Sequence, residues 1–166
     1  SPAYLTGMQV IGSNLFVAGD FKKAGQVPVE SIAQWDGKQW SDLGGGIPNT
    51  RGSFLLAQDS SGKLLVGGKF SSISGIPCNG LAAWNGKEWS EVSINPKDSV
   101  ASASAVCVSP NGDLYVAGNL SVNGEPTKTV IIRKRGDVIE KIGEIQAIPK
   151  SIPMVNVMAC NGDLMY

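Results

Sequence analysis

Leu15-Phe16-Val17-Ala18-Gly19-Asp20-Phe21 returns as Leu64-Leu65-Val66-Gly67-Gly68-Lys69-Phe70, and again as Leu114-Tyr115-Val116-Ala117-Gly118-Asn119-Leu120. A fourth copy begins at Asp163-Leu164-Met165-Tyr166. The anchoring leucines Leu15, Leu64, Leu114 and Leu164 stand roughly fifty residues apart, a period typical of repeat architectures. A second block holds the same register. Ile32-Ala33-Gln34-Trp35-Asp36-Gly37-Lys38-Gln39-Trp40-Ser41 matches Leu81-Ala82-Ala83-Trp84-Asn85-Gly86-Lys87-Glu88-Trp89-Ser90. Chance similarity would not keep two blocks in step over so long a stretch. Residues 1–166 therefore read as one segment with repeats over about 3–51, 52–100 and 101–150 and a partial repeat over 151–166.

Each unit reads as four strands. The first is apolar, as in Ala105-Val106-Cys107-Val108, and meets a turn at Ser109-Pro110-Asn111-Gly112; Ser61-Gly62 and Asn161-Gly162 occupy the same place. Asn-Gly suits a two-residue hairpin turn, which needs positive φ at its central residues. The Leu-x-Val-x-Gly block is the second strand. A loop marked by Gly25 and Pro28, Gly75 and Pro77, or Gly124 and Pro126 follows. Ser31 to Trp35 and Gly80 to Trp84 make the third strand. Asp36-Gly37 and Asn85-Gly86 turn the chain into a fourth, Trp40 to Leu43 or Trp89 to Val92. No stretch has helical periodicity. A lone meander leaves two edges and an apolar face exposed, so it must stack on neighbours. Four strands in each unit of roughly fifty residues, arranged radially, is the β-propeller solution. The expected class is all-β, with about three and a third blades of a larger ring.

Composition agrees. The 166 residues are 42% hydrophobic and 17% charged, with 21 Gly and 9 Pro. That is enough apolar surface for a core and enough turn formers for many short strands. Fourteen basic side chains balance fourteen acidic ones, so no net field steers the protein toward nucleic acid. No apolar run approaches the ~18 residues of a membrane span. Cys78, Cys107 and Cys160 are an odd number with no zinc-site spacing, and they read as small buried hydrophobes. Cys107, between Val106 and Val108, is expected to be a buried, unreactive thiol. The chain has no histidine, which removes the usual general base and the commonest metal ligand.

The repeat resembles kelch-type propellers, and more closely those of secreted bacterial and surface proteins, with their Tyr-Val-Gly-Gly-x-Phe and Ile-Ala-x-Trp-Asn-Gly-x-x-Trp signatures. Val66, Gly67, Gly68 and Phe70 carry it, then Leu81, Ala82, Trp84, Asn85, Gly86 and Trp89. Ile32, Ala33, Trp35, Asp36, Gly37 and Trp40 match equally well. The resemblance implies architecture rather than activity, since such propellers host adhesion, sugar binding, scaffolding and some enzymes. The third unit departs from it: Lys134 stands where Trp35 does, Ile139 where Trp40 does, and Leu120 replaces the Phe.

Recurrence at equivalent positions assigns Trp35, Trp40, Trp84, Trp89, Gly37 and Gly86 to structure, the rings filling the wedge between blades. Weaker candidates for partner contact are Asp20, Lys69 and Asn119, one variable rim position in three units, and the basic run Arg133, Lys134 and Arg135. Asn119-Leu120-Ser121 is also a glycosylation sequon. No residue stands out as catalytic, and no metal ligand set or cofactor motif is present. The expected function is a non-catalytic binding or scaffolding module, showing its loops to a protein or glycan partner at the cell surface or outside the cell. The alternative is a propeller-scaffold carbohydrate-active enzyme whose catalytic residues lie partly beyond this stretch. Closure by further blades, from the same chain or another copy, is expected too, with uncovered apolar faces near Leu5 and Met158.

Overall fold

The computed structural model describes residues 3–48, 52–94, 99–121, 128–145, 160–161 and 164–165. In chain order the strands of the first unit are β1 Tyr4–Ile11, β2 Asn14–Asp20, β3 Lys23–Ala24, β4 Val27–Pro28, β5 Ile32–Trp35 and β6 Trp40–Ser41. The second has β7 Leu55–Gln58, β8 Leu64–Gly67, β9 Ser72–Ile73, β10 Ile76–Pro77, β11 Leu81–Trp84 and β12 Trp89–Glu91. The third has β13 Ser99–Val108, β14 Leu114–Ser121, β15 Lys128–Arg135 and β16 Val138–Glu144; β17 Cys160–Asn161 and β18 Leu164–Met165 follow. The described residues contain no helix.

Three four-stranded antiparallel sheets result, ordered β1-β2-β5-β6, β7-β8-β11-β12 and β13-β14-β15-β16. These are the expected meanders. The hairpins β3–β4 and β9–β10, inside the Gly/Pro loops, were not legible as strands. Pairing fixes the equivalence of the units. Leu15 faces Trp35, Leu64 faces Trp84 and Leu114 faces Lys134. Trp35 faces Trp40, Trp84 faces Trp89 and Lys134 faces Ile139.

Alternation along each strand sends side chains to opposite faces of its sheet, and the first and second sheets pack on both sides. Phe16, Ala18, Ile32, Leu43 and Ile47 of the first sheet and its exit loop meet Leu64, Val66, Phe70, Ala82 and Trp89 of the second unit. Leu65, Leu81, Ala83 and Ile94 then meet Val106, Val116, Leu120, Val130 and Ile132 of the third. The fully buried Ile, Leu and Phe side chains here each contribute about 1.5–3 kcal/mol on leaving water. The first strands lie side by side: Thr6 Oγ1 donates to Phe54 O at 3.2 Å and accepts from Phe54 N at 2.8 Å. The close crossing of first and second strands explains the repeated glycine. A Cβ on Gly19 would lie 1.9 Å from Tyr4 O, and one on Gly118 would lie 2.1 Å from Ser102 O.

The structure corrects two expectations. The turns are not two-residue hairpins with positive φ at both centres. Gly112 (φ 84), Gly37 and Gly86 (both φ 96) take positive φ, while Asn111, Asp36 and Asn85 do not. Asp36 Oδ1 instead accepts from the amides of Lys38 and Gln39, both at 2.8 Å, and Asn85 Oδ1 from those of Lys87 and Glu88, both at 2.9 Å. The side chain is what closes the four-residue turn, so Asp and Asn serve equally. The second correction is at Cys107. It is buried, but it is disulfide-bonded rather than a free thiol. Cys78 is the free, buried cysteine; burial first, then the Glu91 charge, pushes its thiol up to about 11. Of the faces expected to be uncovered, the one near Leu5 shows Tyr4, Leu5, Met8 and Val10 exposed on β1, while Met158 lies outside the described residues.

Candidate functional site

The two junctions between sheets share a backbone plan and differ in what fills it. At the first, Trp89 is 3% exposed, and its Nε1 donates to Leu43 O at 2.6 Å. Ser74 Oγ donates to the same carbonyl at 3.1 Å. Trp84 lies against Trp89 with centroids 5.2 Å apart and planes tilted by 46°, a favourable aromatic geometry. Trp84 packs on the same core, with its own Nε1 buried and unbonded. Trp35 and Trp40 repeat this pairing on the far face of the first sheet, at 5.4 Å and 51°, where Trp40 is half-buried against Val17, Phe21 and Ala33.

At the second junction Lys134 and Ile139 stand in place of the two indoles. Ile139, like Val92 and Leu114, is partly buried against the core of this junction. A cleft of about 400 Å3 opens there. Leu65, Ala83, Val108 and Leu114 give it an apolar floor, and Lys63, Glu91 and Lys134 sit among its polar walls. Asp59 also lines it, but Asp59 Oδ1 accepts from Ser61 N, Ser61 Oγ and Lys63 N at 2.8–2.9 Å, which makes it a turn residue. A smaller hollow of about 290 Å3 lies along the first strands, lined by Gln9, Gln58 and Val106 among others.

The basic run is divided by its partners. Arg135 grips the buried Asp113 carboxylate through Nε and Nη2, at 2.8 and 2.6 Å. That grip holds the Asp113 carboxyl below the usual carboxylate range. Arg133 pairs with Glu140, and hydrogen bonding to Tyr115 and then Glu140 raises its already high value. Lys134, between them in sequence, turns to the opposite face, lines the cleft and donates to Gly136 O. Asp20 is the last residue of β2, Asn119 lies within β14 and Lys69 follows β8, all toward the end of the sheets away from the cleft. Lys69 and Asn119 are exposed. Asn119 is tied into its sheet, accepting from Thr129 Oγ1 at 2.9 Å and donating to Ser102 Oγ at 3.5 Å. Sequence reasoning noted the missing tryptophans but did not name the cleft. Its signal was Lys134 and Ile139 themselves.

Among the described residues, no three His, Cys, Asp or Glu side chains gather as a metal site, and no helix is long and apolar enough to cross a membrane. A family model described as a β-propeller domain of unknown function, DUF5122, matches residues 60–82, the stretch from the turn before β8 into β11. No curated protein matches the chain. Repeat, sheet topology and family match agree on one statement: the chain is an all-β protein of propeller-type four-stranded blades.

Proposed function

We propose that this chain is a non-catalytic binding module of kelch-like propeller type, which engages a protein or glycan partner outside the cell or at its surface. The observation that carries the reading is the cleft between the second and third sheets. It combines an apolar floor with a polar rim, and its volume of about 400 Å3 is ordinary for a ligand site. The rigid sheets on either side would hold it preformed. The Cys107 disulfide supports the location, because such bonds persist in oxidising compartments and cytosolic thiols are kept reduced. The carbohydrate-active alternative needs two carboxylates facing across a substrate, and Asp59 is already engaged by its own turn.

The test is retention without turnover. Fluorescently labelled chain is applied to a glycan array and to a displayed random-peptide library. Saturable retention of one ligand class, with that ligand recovered intact, is the expected result. Cleavage of a retained glycan would establish the enzymatic alternative, and retention of neither class would remove the binding reading.

A further inference from the structure

We infer that the cleft between the second and third sheets receives a tryptophan side chain from a partner polypeptide. This rests on the binding-module reading and gives that partner its chemistry. The neighbouring junction supplies the template. There the protein's own Trp89 fills the space and bonds through Nε1 to Leu43 O. The equivalent of Leu43 at the second junction is Val92, three residues beyond Trp89 as Leu43 is beyond Trp40. No donor among the described residues reaches the Val92 carbonyl, and Val92 lines the cleft. The chain offers Ile139 where it would need an indole, and Ile139 is both smaller and without a donor.

The walls suit an incoming ring. Leu65, Ala83, Val108 and Leu114 present apolar surface. Lys134 replaces Trp84 beside this space and brings a cation to the edge where the template has a second aromatic face, a position from which an ammonium attracts a π-system. A sugar fits less well. Stacking of a sugar needs an aromatic platform, and none of the residues lining the cleft is aromatic. The ring is therefore missing from the receptor, and the partner would bring it. An aromatic anchor in a desolvated pocket is also the usual source of most of the affinity in a protein interface.

The experiment is a titration of the isotope-labelled chain with N-acetyl-tryptophanamide, followed by amide NMR, with N-acetyl-leucinamide as control. Shifts are expected at Val92, Ser93, Leu114 and Lys134, with the leucine compound binding at least tenfold more weakly. Ile139→Trp places an indole where Trp89 stands at the first junction, directed at the Val92 carbonyl of the cleft, and should weaken the tryptophan compound at least tenfold. Shifts mapping elsewhere, equal binding of both compounds, or unchanged binding by a folded Ile139→Trp would overturn the inference. Should Ile139→Trp not fold, shift mapping and the leucine control on the unaltered chain decide alone. If the cleft ignores the tryptophan compound while arrays still yield a saturable ligand, the anchor fails and the binding module survives. If both experiments are blank, both fail.

Discussion

The first and second inter-sheet junctions show one architecture with and without its aromatic seal. Both are built by matching strands in matching register, and both bury aliphatic side chains from the second and third strands of facing sheets. At the first, Trp89 and Trp84 close the outer wedge, and a single carbonyl, Leu43 O, gathers Trp89 Nε1 and Ser74 Oγ. At the second, Ile139 and Lys134 take their places, a cleft opens beside Lys134, and no donor among the described residues reaches the Val92 carbonyl. The aliphatic core is thus sufficient to stack the sheets, and the tryptophans are what make a junction solid. The cleft therefore lies where two indoles are replaced, in a sheet that keeps the strand order and the pairing of the equivalent positions although its strands are longer.

The hardest test of that contrast is Trp89→Ala. It removes a buried indole and its hydrogen bond together, and should cost about 3–5 kcal/mol in denaturant unfolding. Trp40→Ala, at a half-buried copy of the site with no Leu43 counterpart beside it among the described residues, should cost distinctly less. Equal losses at the two positions would mean that the rings act within their own hairpins and that the junction seal is incidental.

A smaller effect separates the outer corners of the second and third sheets. Asn85 closes its turn with an amide that does not titrate, whereas Arg135, at the equivalent position, holds the ionised Asp113. Asp113 has a folded-state value lowered first by the Arg135 hydrogen bonds, below the unfolded value of about 3.9. The pair therefore contributes stability above about pH 4, and that contribution is lost as pH falls through the lower folded value. Asp36, lowered by the amides of Gln39 and Lys38, acts in the same window. Unfolding midpoints measured between pH 7 and pH 2 should fall on the acid side, and Asp113→Asn should flatten part of that fall. An acid limb unchanged in Asp113→Asn would detach the third sheet's corner from its ion pair.

The smallest effect compares the entries to the third strands. Ser31 has φ 65 and its counterpart Gly80 has φ 71. A left-handed conformation suits glycine, but glycine also gains freedom in the unfolded chain. Ser31→Gly should therefore shift stability by no more than ~1 kcal/mol, toward stabilisation. A clear loss in thermal unfolding would show that the Ser31 side chain matters more than its backbone.

Much of this fold was legible because its repeats constrain one another. A leucine, a valine and a glycine at fixed offsets fix a strand and its close crossing, and three copies show which positions the backbone dictates. The β3–β4 and β9–β10 hairpins were not legible, because two-residue strands carry no periodicity. Nor was the Cys107 disulfide, since three cysteines leave at least one unpaired without saying which, and a thiol between two valines reads as core.

The sequence by itself determined the period, the four-strand unit, the equivalence of Trp40, Trp89 and Ile139, and the absence of histidine chemistry. These are local or translational properties, readable along one dimension. Only the tertiary structure decided that Trp89 belongs to the junction with the preceding sheet, that Lys134 faces the cleft while Arg133 and Arg135 face away, and that Asp59 is a turn residue. The reason is alternation: adjacent side chains on a strand point to opposite faces, and which face meets which neighbour is set by the stacking of sheets roughly fifty residues apart.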